Sequence, residues 1–170
     1  MKWTAKNIAL CAVLAALALG LSTLEGLLFP ISLLVPLPGV KLGLANIVTV
    51  FALYQLGAGA ALAILLTRCL LGGLFAGNLS AMLFSVLGGL TAMLVMIFLR
   101  RLPKLSVYGV SIGGAAAHNI GQMAAAVITL GSTMVLGYLP FLLAVSLFTG
   151  ALTGFITALL LRATRHIRFH

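Results

Sequence analysis

Long apolar runs follow one another along almost the whole chain, and short breaks between them carry most of its polar character. Each run is near the ~20 residues that a helix needs to cross a bilayer. The pattern predicts six helices, over about residues 5–24, 42–56, 60–75, 79–99, 107–130 and 136–161, in a single membrane domain covering 1–170. Gly57-Ala58-Gly59, Gly77-Asn78 and the Arg100–Lys104 stretch supply turns between them. One stretch breaks the pattern. Residues 25–41 stay apolar but hold Pro30, Pro36 and Pro38, and proline removes a donor and disfavours helix at the residue before it. This stretch is expected to be an outward loop, packed against protein or dipping into the bilayer surface, since irregular backbone is tolerated at membrane depth only against protein or water. It runs into the second helix through PLPGVKLGLAN, Pro36 to Asn46.

Composition turns this pattern into a class. The 170 residues are 63% hydrophobic and 6% charged, where a soluble domain carries about 25% charged residues. The chain is therefore read as an all-α integral membrane protein, a six-transmembrane-helix bundle. Ten Lys and Arg face a single acid, Glu25, for a net charge of +9. These cations form no patch interleaved with aromatics, so nucleic acid is not the expected partner. They sit instead at helix ends. With both termini cytoplasmic, Lys2, Lys6, Arg100, Arg101, Lys104, Arg162, Arg165 and Arg168 all fall on the inner side, as the positive-inside rule requires. Residues 1–20 imitate a secretory signal, but removing them would leave an odd number of spans, so they are kept as the first helix.

Two cations stand outside that arrangement, Lys41 and Arg68. An arginine inside a span costs about 2.5–3.5 kcal/mol on insertion scales, so Arg68 is expected to face the bundle interior. It either pairs with Glu25 or clamps carbonyls, or it receives an anionic substrate. Lys41 is either an interfacial anchor or a second attractor for the same anion. His118 and Gln122 share a helix face one turn apart, with Asn119 beside them. They form an interhelical network, a pocket wall or a proton relay. Asn46 and Asn78 complete the candidate substrate-binding set of Lys41, Asn46, Arg68, Asn78, His118, Asn119 and Gln122. Along the first helix, Ala12, Ala16 and Gly20 continue a row of small residues that either packs within the bundle or docks a partner.

Several chemistries are absent from the sequence. It holds no GxxxxGK[ST] phosphate loop. One acid cannot make a carboxylate pair or a magnesium cage, and without aspartate there is no Ser/His/Asp set. Cys11 and Cys69 lie apart in apolar runs, with no metal-ligand spacing. No catalytic residue, metal or cofactor is expected.

PGVKLGLAN, together with LLTRCLLGGLFAGN and AAAHNIGQ, resembles the Gx transporter family, whose members are labelled heptaprenyl diphosphate synthase component I. The order of elements is similar to substrate-binding S components of energy-coupling factor (ECF) importers. That resemblance implies a substrate pocket in the outer half of six helices, a first helix docking through Ala12 and Ala16 on a transmembrane coupling subunit, and two ATPases driving the complex in a bacterial plasma membrane. The expected function is then a non-enzymatic binding subunit for a small anionic or amphipathic molecule, related to a vitamin or to isoprenoids and quinones. The alternative is a noncatalytic anchor holding a prenyl diphosphate synthase at the bilayer.

Overall fold

In the computed structural model, residues 4–28 and 43–166 are described, and they form an all-helical membrane bundle. The helices are α1 (Ala5–Leu28), α2 (Asn46–Gln55), α3 (Ala58–Ala76), α4 (Leu79–Arg100), α5 (Val107–Leu130) and α6 (Leu139–Ala163), with a 3₁₀ turn at Thr133–Tyr138 leading into α6. Four segments, ending in or containing α1, α3, α4 and α6, are long and apolar enough to cross a membrane. Helix α5 has 24 residues, which is also enough. Its buried Ser111, His118, Asn119 and Gln122 are what dilute its apolar character.

Three boundaries depart from the pattern-based expectation. Helix α1 runs on to Leu28, which places Glu25 inside a helix rather than in the loop. Helix α2 begins at Asn46 instead of residue 42, because Gly43 has φ of +89°, a left-handed conformation that interrupts a right-handed helix. Helix α6 begins at Leu139, where Pro140 in its first turn needs no amide partner.

The bundle is inverted relative to a soluble protein. Large apolar side chains face outward to lipid, among them Val13, Phe75, Leu94, Phe98 and Phe148. Small and polar ones face inward, as expected where apolar burial gives no advantage over lipid. On α1 the buried face is Cys11, Ala15, Ala18, Ser22 and Glu25, one helical stripe. The neighbouring row, Ala12, Ala16 and Gly20, is exposed.

Neighbouring helices in space run α1, α3, α4, α5 and α6, and α2 packs against α1, α3, α4 and α6. Helix α2 is buried from Asn46 through Leu53 on every side. Helices α4 and α5 approach most closely where Gly121 meets α4. A Cβ there would overlap the Thr91 hydroxyl and stand 2.5 Å from the Leu87 carbonyl oxygen and 2.9 Å from the Gly88 Cα. The same approach lets Thr91 Oγ1 donate across the interface to the Ala117 carbonyl at 2.9 Å.

One end of the bundle is fastened by charge. Arg100 at the end of α4 donates to the Leu53 carbonyl and, at 3.5 Å, to the Tyr54 carbonyl, and its guanidinium lies 4.9 Å from the Tyr54 ring centroid. A cation on the last carbonyls of α2 opposes the negative end of that helix's dipole. Gln55 Nε2 donates to Thr164 Oγ1 at 3.1 Å, bringing the end of α6 to the same level. Lys6, Arg100, Arg101, Lys104, Arg162 and Arg165 thus collect at one end, and the positive-inside rule makes it cytoplasmic. Arg68 is the described cation that does not belong to it.

The packing at Gly121 makes a direct prediction. Gly121→Ala should destabilise the bundle by about 1–3 kcal/mol through overpacking. Gly59→Ala, where nothing lies within 4 Å of the added carbon, should be neutral or slightly stabilising. Thermal unfolding of both variants in one mild detergent, against the parent, measures the contrast.

Candidate functional site

Helix α2 sets the depth of the site. Its ten residues rise about 15 Å, half of the ~30 Å hydrocarbon core, and its carboxyl end is fastened at the cytoplasmic level. Its amino end therefore lies near the middle of the membrane, where unpaired backbone N–H groups are costly.

Glu25 meets that requirement. Its side chain, 2% exposed, accepts hydrogen bonds from the Gly43 N–H at 2.8 Å and from the Leu44 N–H at 2.7 Å, one on each carboxylate oxygen. Such short bonds from backbone N–H to a carboxylate are charge-assisted. Gly43 and Leu44 carbonyls in turn accept from the Asn46 and Ile47 amides at 2.8 and 3.0 Å, so the turn leads directly into α2. Glu25 is thus the anionic cap of a half-length helix rather than an ion-pair partner of Arg68.

Arg68 reaches the same turn from α3. It is 7% exposed, and its Nη2 donates to Asn46 Oδ1 at 3.2 Å. Its Nε is buried and has no hydrogen-bond partner among the described residues. The helix dipole offers about half a positive charge at the start of α2 and Arg68 a full one. Among the described residues, the single negative charge of Glu25 leaves the cluster a partial positive balance.

His118 and Gln122 close the cluster from α5. Both are buried and lie against Gly88 of α4, where an added Cβ would stand 2.9 Å from Gln122 Cγ and 3.0 Å from His118 Cε1. The other edge of the His118 ring faces α2, with Cδ2 3.9 Å from the position of a Cβ on Gly43. A side chain at Gly43 would also collide with Asn46 Nδ2, at 2.8 Å. Gly43 and Gly88 thus leave the space that the imidazole occupies.

The other candidates lie elsewhere. Asn119 is on a different face of α5, and its Nδ2 donates to the Leu142 carbonyl of α6 at 2.7 Å. Its amide serves the α5–α6 contact. Asn78 is exposed and caps α4, its Oδ1 accepting from the Ala81 N–H at 3.0 Å. Lys41 and the stretch leading to it lie outside the described residues. Asn46, Arg68, His118 and Gln122 are therefore brought together around the start of α2, whereas Asn78 and Asn119 are not.

Sequence reasoning missed the backbone donors of Gly43 and Leu44 and the notch at Gly88. Glycine doublets were visible in the third and fourth runs, but their partners lie far off in sequence. A narrow polar cavity of about 40 Å³ was missed as well. It is lined by Ser22 of α1, by Arg68, Cys69, Gly72, Gly73 and Ala76 of α3, and by Ala81 and Ser85 of α4. A larger apolar groove of about 480 Å³, lined mainly by Leu70, Met82, Leu83, Val86 and Thr129, contains none of the polar cluster.

A family model described as heptaprenyl diphosphate synthase component I matches residues 14–160, which include every residue of the cluster. No curated protein and no solved structure matches the chain.

If Glu25 caps α2 as described, Glu25→Gln should cost about 1.5–3 kcal/mol, the range for a hydrogen bond to a charged group. Hydrogen exchange at the Gly43 and Leu44 amides should accelerate in the variant while the α4–α5 amides stay protected. Peptide-resolved exchange in detergent reads both, and unchanged protection at residues 43–44 would contradict the cap.

Proposed function

The chain belongs to the heptaprenyl diphosphate synthase component I family, and we propose that it acts as a noncatalytic, membrane-embedded binding subunit for a small anionic or amphipathic molecule. The observation that carries this reading is Arg68: a buried guanidinium near mid-membrane, bonded to Asn46 and retaining a donor without a partner among the described residues. Intramembrane charges are costly, and helices that end within the membrane recur at substrate sites, their amino ends directed at anionic groups. Arg68 supplies the charge. Asn46, His118 and Gln122 supply the polar surroundings that orient Arg68 and with it the ligand, and Lys41 is a further attractor for the same anion.

Inward release then needs movement relative to a partner and a source of energy, since the sequence has no phosphate loop. In this reading the partner is the transmembrane coupling subunit of an ECF-type importer with its two ATPases, in a bacterial plasma membrane. The exposed row Ala12, Ala16 and Gly20 supports a docking role, because small residues let two helix backbones approach in lipid. The ligand class is a vitamin-like or isoprenoid- or quinone-related molecule.

The description of the family favours a second reading, a membrane anchor for a soluble prenyl diphosphate synthase. Exposed Arg101, Lys104 and Arg165 at the cytoplasmic end would hold the acidic surface of such a partner. In that reading too the catalysis belongs to the partner. The one acid of this chain has both oxygens engaged by backbone amides, which leaves no carboxylate pair for magnesium and diphosphate.

Native mass spectrometry of the protein extracted gently from its own membrane separates the two readings. The binding-subunit reading expects a bound small molecule, lost in Arg68→Gln and weakened in His118→Ala, and a coupling subunit lost when Ala12 and Ala16 are enlarged to Leu. A prenyl synthase as sole partner, released by Arg101→Glu with Lys104→Glu, and an empty bundle would overturn it.

A further inference from the structure

The narrow cavity between α1, α3 and α4 carries an inference that rests on the binding-subunit reading and specifies its ligand. Arg68 stands between two spaces. Its Nη2 turns to Asn46 and the start of α2, while the residue also lines the cavity with Ser22 and Ser85. Arg68, Gly72 and Ala76 follow one another at four-residue spacing, one face of α3, and Ala81 and Ser85 do the same on α4. The cavity is therefore a shaft along two helices, reaching from Ala76 and Ala81 beside the α3–α4 turn at Gly77-Asn78 to Arg68.

Small residues keep the shaft open. At Gly73 a Cβ would overlap the Met82 side chain, so this glycine is needed for the α3–α4 approach itself. Gly72 is under less pressure: its Cβ would meet Leu19 Cδ1 at 3.2 Å and would otherwise occupy the shaft. The volume of about 40 Å³ compares with the roughly 10–15 Å³ that one water requires. It falls far below the ~300 Å³ at which pockets begin to enclose a whole drug-sized molecule. There is room for one compact polar group.

We propose that this shaft is the head-group site: it takes a single terminal oxyanion, carboxylate or phosphate, against the Arg68 guanidinium with the Ser85 hydroxyl beside it. The ligand is then a molecule with one compact anionic end on a narrow stem. A bulky ring bearing the charge directly does not fit between Gly72, Gly73 and Ala81. The stem leaves past Ala76 at the outer end of α3, which is exposed.

The same head-group chemistry is offered by a soluble anion and by a membrane amphiphile. Inorganic phosphate, acetate and dodecyl phosphate serve as probes, titrated into the purified full-length chain in a neutral maltoside detergent, with phosphorus line broadening and thermal shift as readouts. The expected result is saturable binding of dodecyl phosphate, weakened about tenfold or more by Arg68→Gln, as for loss of a charge-assisted bond. Gly72→Val and Ser85→Val, which fill the shaft from opposite walls, should weaken it as much, while the lipid-facing Leu94→Ala should not. Unfolding curves identify any variant that fails to fold, and the second wall variant then carries the test.

Comparable binding of inorganic phosphate or acetate would support the site with a soluble anion as its source; binding of the amphiphile alone would support it with a membrane source. Loss of binding in Arg68→Gln and His118→Ala with none in Gly72→Val or Ser85→Val would overturn the shaft and leave the binding-subunit reading intact. No binding of any probe to the parent, while a small molecule still co-purifies and is lost in Arg68→Gln, would also overturn the shaft alone. An empty parent that binds none of the probes would overturn both.

Discussion

The bond between the Glu25 carboxylate and the amides of Gly43 and Leu44 is the constraint on which the rest of this bundle depends. A helix of ten residues cannot cross a bilayer, and its free amino end would strand polar backbone in the membrane interior. A carboxylate delivered from α1 removes that difficulty. Because it does so, α2 can be short, and a polar centre can exist at mid-depth. Arg68, Asn46, His118 and Gln122 all gather around the turn that Glu25 holds.

The glycines of this chain act at the contacts rather than as general flexibility. Gly121 sets the distance between α4 and α5, and Gly88 in the same contact makes room for His118 and Gln122. Gly43 combines a left-handed backbone with a surface against which both Asn46 and the imidazole lie. Close helix packing and the polar cluster therefore have one origin: positions where the absence of a side chain lets something else approach. In lipid, where burying apolar surface yields little, such contacts and interhelical hydrogen bonds carry most of the association.

Charge is divided between two tasks. The cations at the cytoplasmic end orient the protein, and Arg100 in addition fixes the far end of α2 through its carbonyls. Arg68 does neither. Its side chain joins the α2 turn to the shaft between α1, α3 and α4, and it is the element shared by the proposed binding function and the proposed head-group site.

The apolar runs by themselves determined the membrane environment, the number of helices and most of their ends, because hydropathy and length are properties of contiguous residues. Buried charge at Arg68 was legible for the same reason: an arginine within an apolar run has nowhere cheap to point except inward. Only the tertiary structure decided who meets whom. Glu25 and Gly43 are separated by eighteen residues, Asn46 and Arg68 by twenty-two, and Gly88 from His118 by thirty, and no periodicity encodes such pairings. Nor could the sequence distinguish Asn119, spent on the Leu142 carbonyl, from His118 one position before it. Adjacent residues on a helix point about 100° apart, so which of them enters the site depends on where the neighbouring helices stand.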